Sequence, residues 1–479
     1  MSKYNNVNFH KVTASTDQDF IEKKLIDDNE KLNFNYKQFL GLMLGLTHYI
    51  IAGITSGYAS VFIVQASDTE GLKITKSEAS WIASIVVVPM APAGLLCGFL
   101  LNKIRKKTVL IIITLFEILA WVIMYGSTSV TGILIGRALS GIASAMGSPI
   151  IPPYLAEISH PNMRGLYLCM VLLGISLGLL VIHVLGAFFT WNMCALITAL
   201  ILVVYFCLVL YLNETYAWYL RNDNIEETKK AFCWYRGKSA CSMLELEKLL
   251  AKRHENASNN YTKKQILHLC LSKLLLMPLA ISTVGMLTMH LSGMKPIMFY
   301  SISIVSQVIP SLDQYTSTIV VDIIRIFMTC VGCVLINKFP VRPLFIISGI
   351  GSAISHFCFA AFFSYTVNSV DQTYPILALI ALISYTAFSS IGIAPLAWII
   401  AGEIFPFILK GIASGMCCFV YFFSFFIIVK ITPEMFDAFG IAGGFVIFGG
   451  CTLLGTITMY FILPETKNKT LKEIEDLFR

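Results

Sequence analysis

The sequence predicts an all-α membrane protein, with twelve transmembrane helices in two pseudo-symmetric six-helix bundles and a cytoplasmic helical linker between them. Three observations predict it: an apolar composition, twelve apolar stretches of spanning length, and charged signatures written once in each half. Of 479 residues, 56% are hydrophobic and 13% charged, where a soluble domain carries about 45–50% and about 25%. Lipid as the solvent accounts for a gap of that size. A helix needs about 20 mainly apolar residues to cross the hydrocarbon layer. By that measure spans cover roughly 38–64, 77–101, 108–127, 130–156, 165–188, 191–212, 274–305, 316–337, 343–365, 375–402, 411–432 and 440–463. Several exceed the minimum, which predicts tilted or kinked helices.

In chain order, residues 1–37 form a polar tail carrying Asp17, Glu22, Lys23, Lys24, Asp27 and Asp28, so no cleavable signal peptide is expected before the first span. Residues 38–212 hold the first bundle, 213–273 the linker, 274–463 the second bundle and 464–479 a short tail. In the linker, Glu226 and Lys230 stand at i and i+4, and Leu244, Leu246, Leu249 and Leu250 follow at near-helical spacing. Short amphipathic helices are expected there.

Charge placement sets the orientation. Lys103, Arg105, Lys106, Lys107, the linker cations, Lys338, Arg342 and Lys410 all fall on one side, and loops near 127–130, 189–190, 306–315 and 366–374 carry no Lys or Arg. Lys73 and Lys76 in the first loop are the exception. The positive-inside rule then puts both termini and the linker in the cytoplasm of a multi-pass protein, with the plasma membrane the expected location. The net charge of +7 therefore reflects topology and not a nucleic-acid surface. Most of the thirteen cysteines lie inside spans, where they act as small apolar filler. No metal-ligand spacing, nucleophile or nucleotide motif survives, so no catalytic residue, metal or cofactor is expected. The expected partners are the bilayer and a small-molecule substrate. The N-x-[ST] matches at Asn213, Asn256, Asn260 and Asn468 fall on the cytoplasmic side, where glycosylation is not expected.

The chain is written twice. Glu157 is followed at +7 and +8 by Arg164-Gly165, and Glu403 by Lys410-Gly411. Asn102-Lys103 with Lys106-Lys107 recurs as Asn337-Lys338 with Arg342, and Glu214-Thr215 as Glu465-Thr466. Two six-helix halves in parallel repeat place a substrate near mid-membrane between them. Charges at helix ends on the cytoplasmic face set topology. They also suit a conformational latch, for which Arg137, Glu157, Arg164, Glu214, Arg342, Glu403, Lys410 and Glu465 are the candidates. Partly exposed pairs contribute about 1 kcal/mol or less each, enough together to bias a two-state equilibrium.

These residues resemble the sugar-porter family of the major facilitator superfamily. Gly136-Arg137, Pro153-Tyr154-Leu155-Ala156-Glu157 and Arg164-Gly165 resemble its G-R … P-x-Y-x-x-E … R-G pattern. Glu214-Thr215 … Trp218 with Trp234-Tyr235-Arg236-Gly237 resembles its linker, and Leu291-Ser292-Gly293 with Phe299-Tyr300 its seventh span. Pro395 … Trp398 … Gly402-Glu403-Ile404-Phe405-Pro406 and Pro464-Glu465-Thr466-Lys467 … Thr470-Leu471 resemble its last two motifs. Residues 76–81, Lys-Ser-Glu-Ala-Ser-Trp, are further similar to insect facilitated trehalose transporters. The resemblance implies the major facilitator fold and facilitative sugar transport, of trehalose or a hexose-like solute, by alternating access.

The departures concern the pocket. Where the family reads hydroxyls with amides, this chain has Met289, His290 and Lys295 in the seventh span, Arg325 in the eighth, Leu172 in the fifth and Tyr421 in the eleventh. Trp398 stands as the family has it, a platform for a sugar ring. The expected substrate-binding set is therefore Trp398, His290, Lys295, Tyr300, Arg325 and Tyr421. Ionisable groups inside spans face a cavity or a partner. Lys295 and Arg325 accordingly admit two readings: braces neutralised by Asp322, or ligands of an anionic, non-sugar solute. A non-transporting membrane sensor is a third possibility for the chain. Proton-coupled members resemble G-Y-D-[TS] in the first span; here Gly57-Tyr58-Ala59-Ser60 stands, with no carboxylate in the span, so a facilitator is expected. Glu117 leaves another proton route open. The loops at Arg105 and Pro340 lack the family's Asp and Gly, so a tight glycine turn is not expected there and a looser latch is.

Overall fold

The computed structural model describes residues 36–68, 74–159, 164–237, 242–247, 249–250, 272–308, 313–368, 373–405, 409–465 and 478. Most of the expected N-terminal tail, much of the linker, Asn256, Asn260 and Asn468 lie outside the described residues. Ten helical segments among those described are long and apolar enough to cross a membrane. One of them, Lys410–Ile462, is a hairpin of two spans: Gly440 turns the chain at φ 71°. Another span, the second, is assembled from two shorter helices, Lys76–Ser84 and Met90–Lys103. The spans thus number twelve. Each closes its own backbone hydrogen bonds, which hydrocarbon requires.

A side chain at Gly440 would meet open space, so the glycine serves the left-handed turn and not close helix packing.

The first bundle continues with Lys106–Gly126, Val130–Gly147 with Ile151–Ile158, Arg164–Phe188 and Trp191–Tyr211 after the first span, Tyr36–Asp68. The second contains Lys273–Leu291 with Met294–Phe299 and Ser301–Val308, then Gln314–Lys338, Val341–Asn368, Thr373–Ile391 with Ile393–Glu403, and the hairpin. Breaks recur at matching places. Span 4 breaks ahead of Pro152-Pro153 and span 10 at Gly392, ahead of Pro395. Proline lacks a donor and its ring crowds the carbonyl one turn back, so each helix restarts with proline in its first turn, where no such partner is needed.

The loops at Arg105 and Pro340 turn without the family's glycine geometry. Ile104 and Phe339 are extended, and their amides bond back to Leu100 and Leu335 at 2.7 and 2.8 Å. An extended residue reverses the chain here, so neither Arg105 nor Pro340 must adopt the left-handed geometry that a glycine turn requires.

Within the first half, span 1 lies against span 5, where Gly53 and Gly178 let the backbones touch. The halves meet along spans 5 and 8, spans 1 and 7, and spans 2 and 11. On the side away from the linker, Lys76 pairs with Asp437 at 2.8 Å, Ser80 donates to the Lys430 carbonyl at 3.1 Å, and Lys430 lies 4.2 Å over the Trp81 ring. On the linker side, Ile151–Ile158 packs mainly on spans 1 and 5, and Ile393–Glu403 mainly on spans 7, 9 and the first helix of span 10. Each stays with its own half.

The linker's helices Tyr216–Arg221 and Ile225–Arg236 dock on the first half. Tyr154 and Tyr235 both donate to the Asn213 carbonyl, at 2.9 and 2.6 Å. Lys230 pairs with Glu227 at 2.7 Å and not with Glu226 one turn back, so the expected i, i+4 pair is replaced by an i, i+3 pair.

Candidate functional site

Span 7 is interrupted at Leu291-Ser292-Gly293. Gly293 adopts φ 78°, and a Cβ there would come 2.7 Å from the Phe448 ring, so glycine is needed twice over. The frayed helix end is held by His356, whose Nε2 donates to the Ser292 carbonyl at 2.9 Å, and the Ser292 hydroxyl lies 3.3 Å from that of Tyr385. The break delivers His290 from one helix and Lys295 from the next.

These two meet aromatic rings of span 11. Lys295 is 6% exposed, with its ammonium 4.9 Å from the Phe425 ring centre and 6.0 Å from that of Tyr421. His290 is fully buried, 4.5 Å from Tyr421 and stacked 5.6 Å from Phe425. Neither ring nitrogen of His290 has a hydrogen-bond partner among the described residues. Trp398 lies 4.7 Å from Tyr421 and remains 39% exposed. One lysine, one imidazole and three rings therefore converge. Tyr300 has another task, since its hydroxyl donates to the Val429 carbonyl at 3.3 Å.

Arg325 and Lys295, read together from sequence, part company here. Arg325 donates to Asp322 Oδ1 at 2.9 Å, while Asp322 Oδ2 lies 2.5 Å from His183 Nδ1. His183 belongs to span 5 of the other half, and its Nε2 lies 2.9 Å from the Ser60 hydroxyl and 3.1 Å from that of Ser301. Both oxygens of Asp322 are thus engaged. The network ties spans 1 and 5 to spans 7 and 8, and His183 and Asp322 are essentially sealed from solvent. Buried charge is tolerable when paired and hydrogen-bonded this fully.

Arg137, expected in a latch at the cytoplasmic face, lies elsewhere. It is fully buried in the half of span 4 away from the linker, donating to the carbonyls of Thr55, Ile82 and Ala83 at 2.6, 2.9 and 3.2 Å. The break in span 2 explains this. Ile82 and Ala83 end the helix Lys76–Ser84, where carbonyls lack helical partners and the dipole is negative. The Phe299 ring of span 7 stands 5.8 Å away.

The remaining latch candidates sit on the linker side, and their resolved pairs stay within one half. Lys106 reaches Glu157 at 2.5 Å. Glu214 accepts from the Lys107 amide at 2.9 Å, and Glu465 from the Val341 and Arg342 amides at 3.0 and 3.2 Å. The two acids are equivalent caps: each sits on the helix start of the third span of its half. Lys107 and Arg342 donate in turn to the carbonyls of Leu210 and Tyr460, at 2.8 and 2.5 Å. In this conformer, closed on the side away from the linker, these pairs do not join the halves. Glu403 is half-buried at its helix end; the side chains of Arg164 and Lys410 lie outside the described residues.

The profile of the family described as "Sugar (and other) transporter" matches residues 36–478. The chain belongs to that family. Facilitated trehalose transporter Tret1 of Aedes aegypti is 30% identical over 448 residues, covering 92% of this chain and 55% of the relative. The chain thus spans about half of that protein. The Tret1-2 homolog of Drosophila simulans is 28% identical, over 94% of this chain and 92% of the relative. Among solved structures, the inward open xylose transporter XylE from E. coli aligns with a TM-score of 0.76 at 18% identity, over 92% of this chain and all of that one. The XylE proton:xylose symporter bound to 6-bromo-6-deoxy-D-glucose aligns at 0.74, over 93% and 99%. The fold is that of the major facilitators, and this member of the sugar (and other) transporter family is an integral multi-pass membrane protein and not an enzyme.

Sequence reasoning missed His183 and Phe425. His183 was visible as an ionisable group in an apolar span. Phe425 lies one helical turn past Tyr421, on the same face, and was legible only once that face was known to meet span 7.

Proposed function

We propose that this sugar (and other) transporter moves a sugar, or a sugar-like polar solute, by alternating access and without proton coupling, with trehalose and hexoses as the first candidates. The observation that carries this reading is the convergence of Trp398, Tyr421 and Phe425 with His290 at the break of span 7. Rings stack on the apolar faces of a pyranose, while His290 offers one donor and one acceptor to its hydroxyls. The relatives named for facilitated trehalose transport support this class.

In the conformer described, contacts between the halves close the side away from the linker. Outward opening would break Lys76–Asp437 and the Ser80 bond, both partly exposed and inexpensive. The linker-side charges at Glu157, Arg164, Glu403 and Lys410 would pair across the halves in the opposite state. Arg137 faces carbonyls and no carboxylate in the first span, which supports facilitation over proton symport. A plasma-membrane location with both termini cytoplasmic completes the reading.

Proteoliposome uptake of radiolabelled glucose and trehalose tests it. Saturable uptake, unchanged by a protonophore and reduced about ten-fold or more by Trp398→Ala, is expected, since a stacking aromatic contributes on the order of 1–3 kcal/mol. Absence of uptake above empty liposomes, with the protein folded, would remove both sugars as substrates.

A further inference from the structure

Lys295 poses an electrostatic problem that the fold leaves unsolved. An ammonium held at 6% exposure inside a membrane bundle needs a counter-charge or a polar cavity. Asp322 is the nearby acid on span 8, but Arg325 takes one of its oxygens and His183 the other. That network is closed, with one guanidinium and one carboxylate. Among the described residues no carboxylate pairs with Lys295; its resolved contacts are the faces of Phe425 and Tyr421. Beside it, on the same two rings, His290 is wholly buried with both nitrogens unpartnered. Two buried polar side chains of adjoining helices thus end on the same two rings, and the half-exposed Trp398 stands against one of them, Tyr421.

From this juxtaposition we propose that the preferred solute is a sugar acid, a pyranose-sized ring bearing one carboxylate, with Lys295 as its specificity-determining counter-charge. The carboxylate meets the Lys295 ammonium, the ring lies on Trp398 and Tyr421, and His290 reads a hydroxyl. A single uncompensated cation selects a single negative charge. A phosphorylated sugar carries close to two, and would leave one of them buried without a partner. The inference rests on the carrier reading above and narrows its substrate class.

The test is counterflow in proteoliposomes with radiolabelled glucuronate and glucose, for the wild type, Lys295→Met and Lys295→Arg. A charge-assisted hydrogen bond corresponds to about ten-fold or more in specificity, so wild type should favour glucuronate over glucose by at least about ten-fold in kcat/KM. Lys295→Met should collapse that ratio, and Lys295→Arg should keep it. Should the methionine variant fail to fold, competition on the wild type gives the same information: glucuronate must block glucose uptake at lower concentration than glucose itself. Glucose transport with glucuronate neither carried nor competing would overturn the sugar-acid inference and leave the carrier reading standing. A glucuronate preference that survives Lys295→Met would overturn the role of Lys295. Neither solute carried nor able to protect the folded protein from heat would overturn both.

Discussion

Arg137 of the first half and Lys295 of the second are buried cations set beside broken spans, and the fold treats them in opposite ways. Arg137 in the first half is satisfied by two carbonyls that the broken second span leaves free and by the Thr55 carbonyl of the first span. Lys295 in the second half lies beyond a comparable break, in span 7, but that break turns aromatic rings and an unpartnered histidine toward it. The first arrangement is complete without a ligand; the second is not. A repeated fold thus braces a cation in one half and, under the proposal above, offers one to a solute in the other.

The sharpest way to break this contrast is Arg137→Ala. It strands two buried carbonyls at the broken end of span 2, each costing about 1–3 kcal/mol, and should abolish recovery of monodisperse protein from detergent; a well-folded variant would show that the arginine is not a brace. Next comes Asp322→Asn, which leaves Arg325 without its counter-charge and should lower thermal stability by about 3–5 kcal/mol equivalents. Should the variant unfold like wild type, the network across the halves does not hold them. Glu214→Gln and Glu465→Gln probe the symmetric part of the fold. Each should cost about 1 kcal/mol, and the two should match within error in heat-unfolding assays. Unequal losses would show that the caps are not equivalent.

The smallest effect is expected at Asp313, which caps span 8 by accepting from the Thr316 amide at 2.7 Å. That bond and the Thr316 hydroxyl hold its carboxyl below the ordinary value of 3.8. Its stabilisation is therefore complete above that value and is lost as pH falls through the lower folded one. Asp313→Ala should cost about 0.5–1 kcal/mol at neutral pH, with no further loss on acidification.

The fold was legible because its causes are local. Apolar runs of spanning length, cations on alternate loops and the twofold recurrence of Glu157/Glu403 and Glu214/Glu465 need no tertiary information. The site was legible in part. His290, Lys295, Tyr421 and Trp398 were found because they replace or keep residues at places the motifs mark, and they do gather. Arg137 was misplaced because a charge in a motif looks the same whether it faces another side chain or a helix end. The caps were misread for a related reason: an acid near a cation suggests an ion pair, whereas Glu214 and Glu465 bond the backbone amides beside the cations. The partition of Asp322 between Arg325 and His183 depends on which helices adjoin, and helix neighbours are not written in one sequence.

The central claim is that the space beside Trp398 is the solute path, and site-directed labelling at Gly402 tests it most directly. Gly402 lies one turn beyond Trp398, and a side chain there meets open space, so Gly402→Cys should fold in a background with the native cysteines replaced by serine. A charged thiol reagent applied from the linker side should label that position, and glucose, trehalose or glucuronate, whichever is carried, should slow the labelling by about five-fold or more through occupancy. Labelling that no transported solute slows, or no labelling from the linker side at all, would contradict the account.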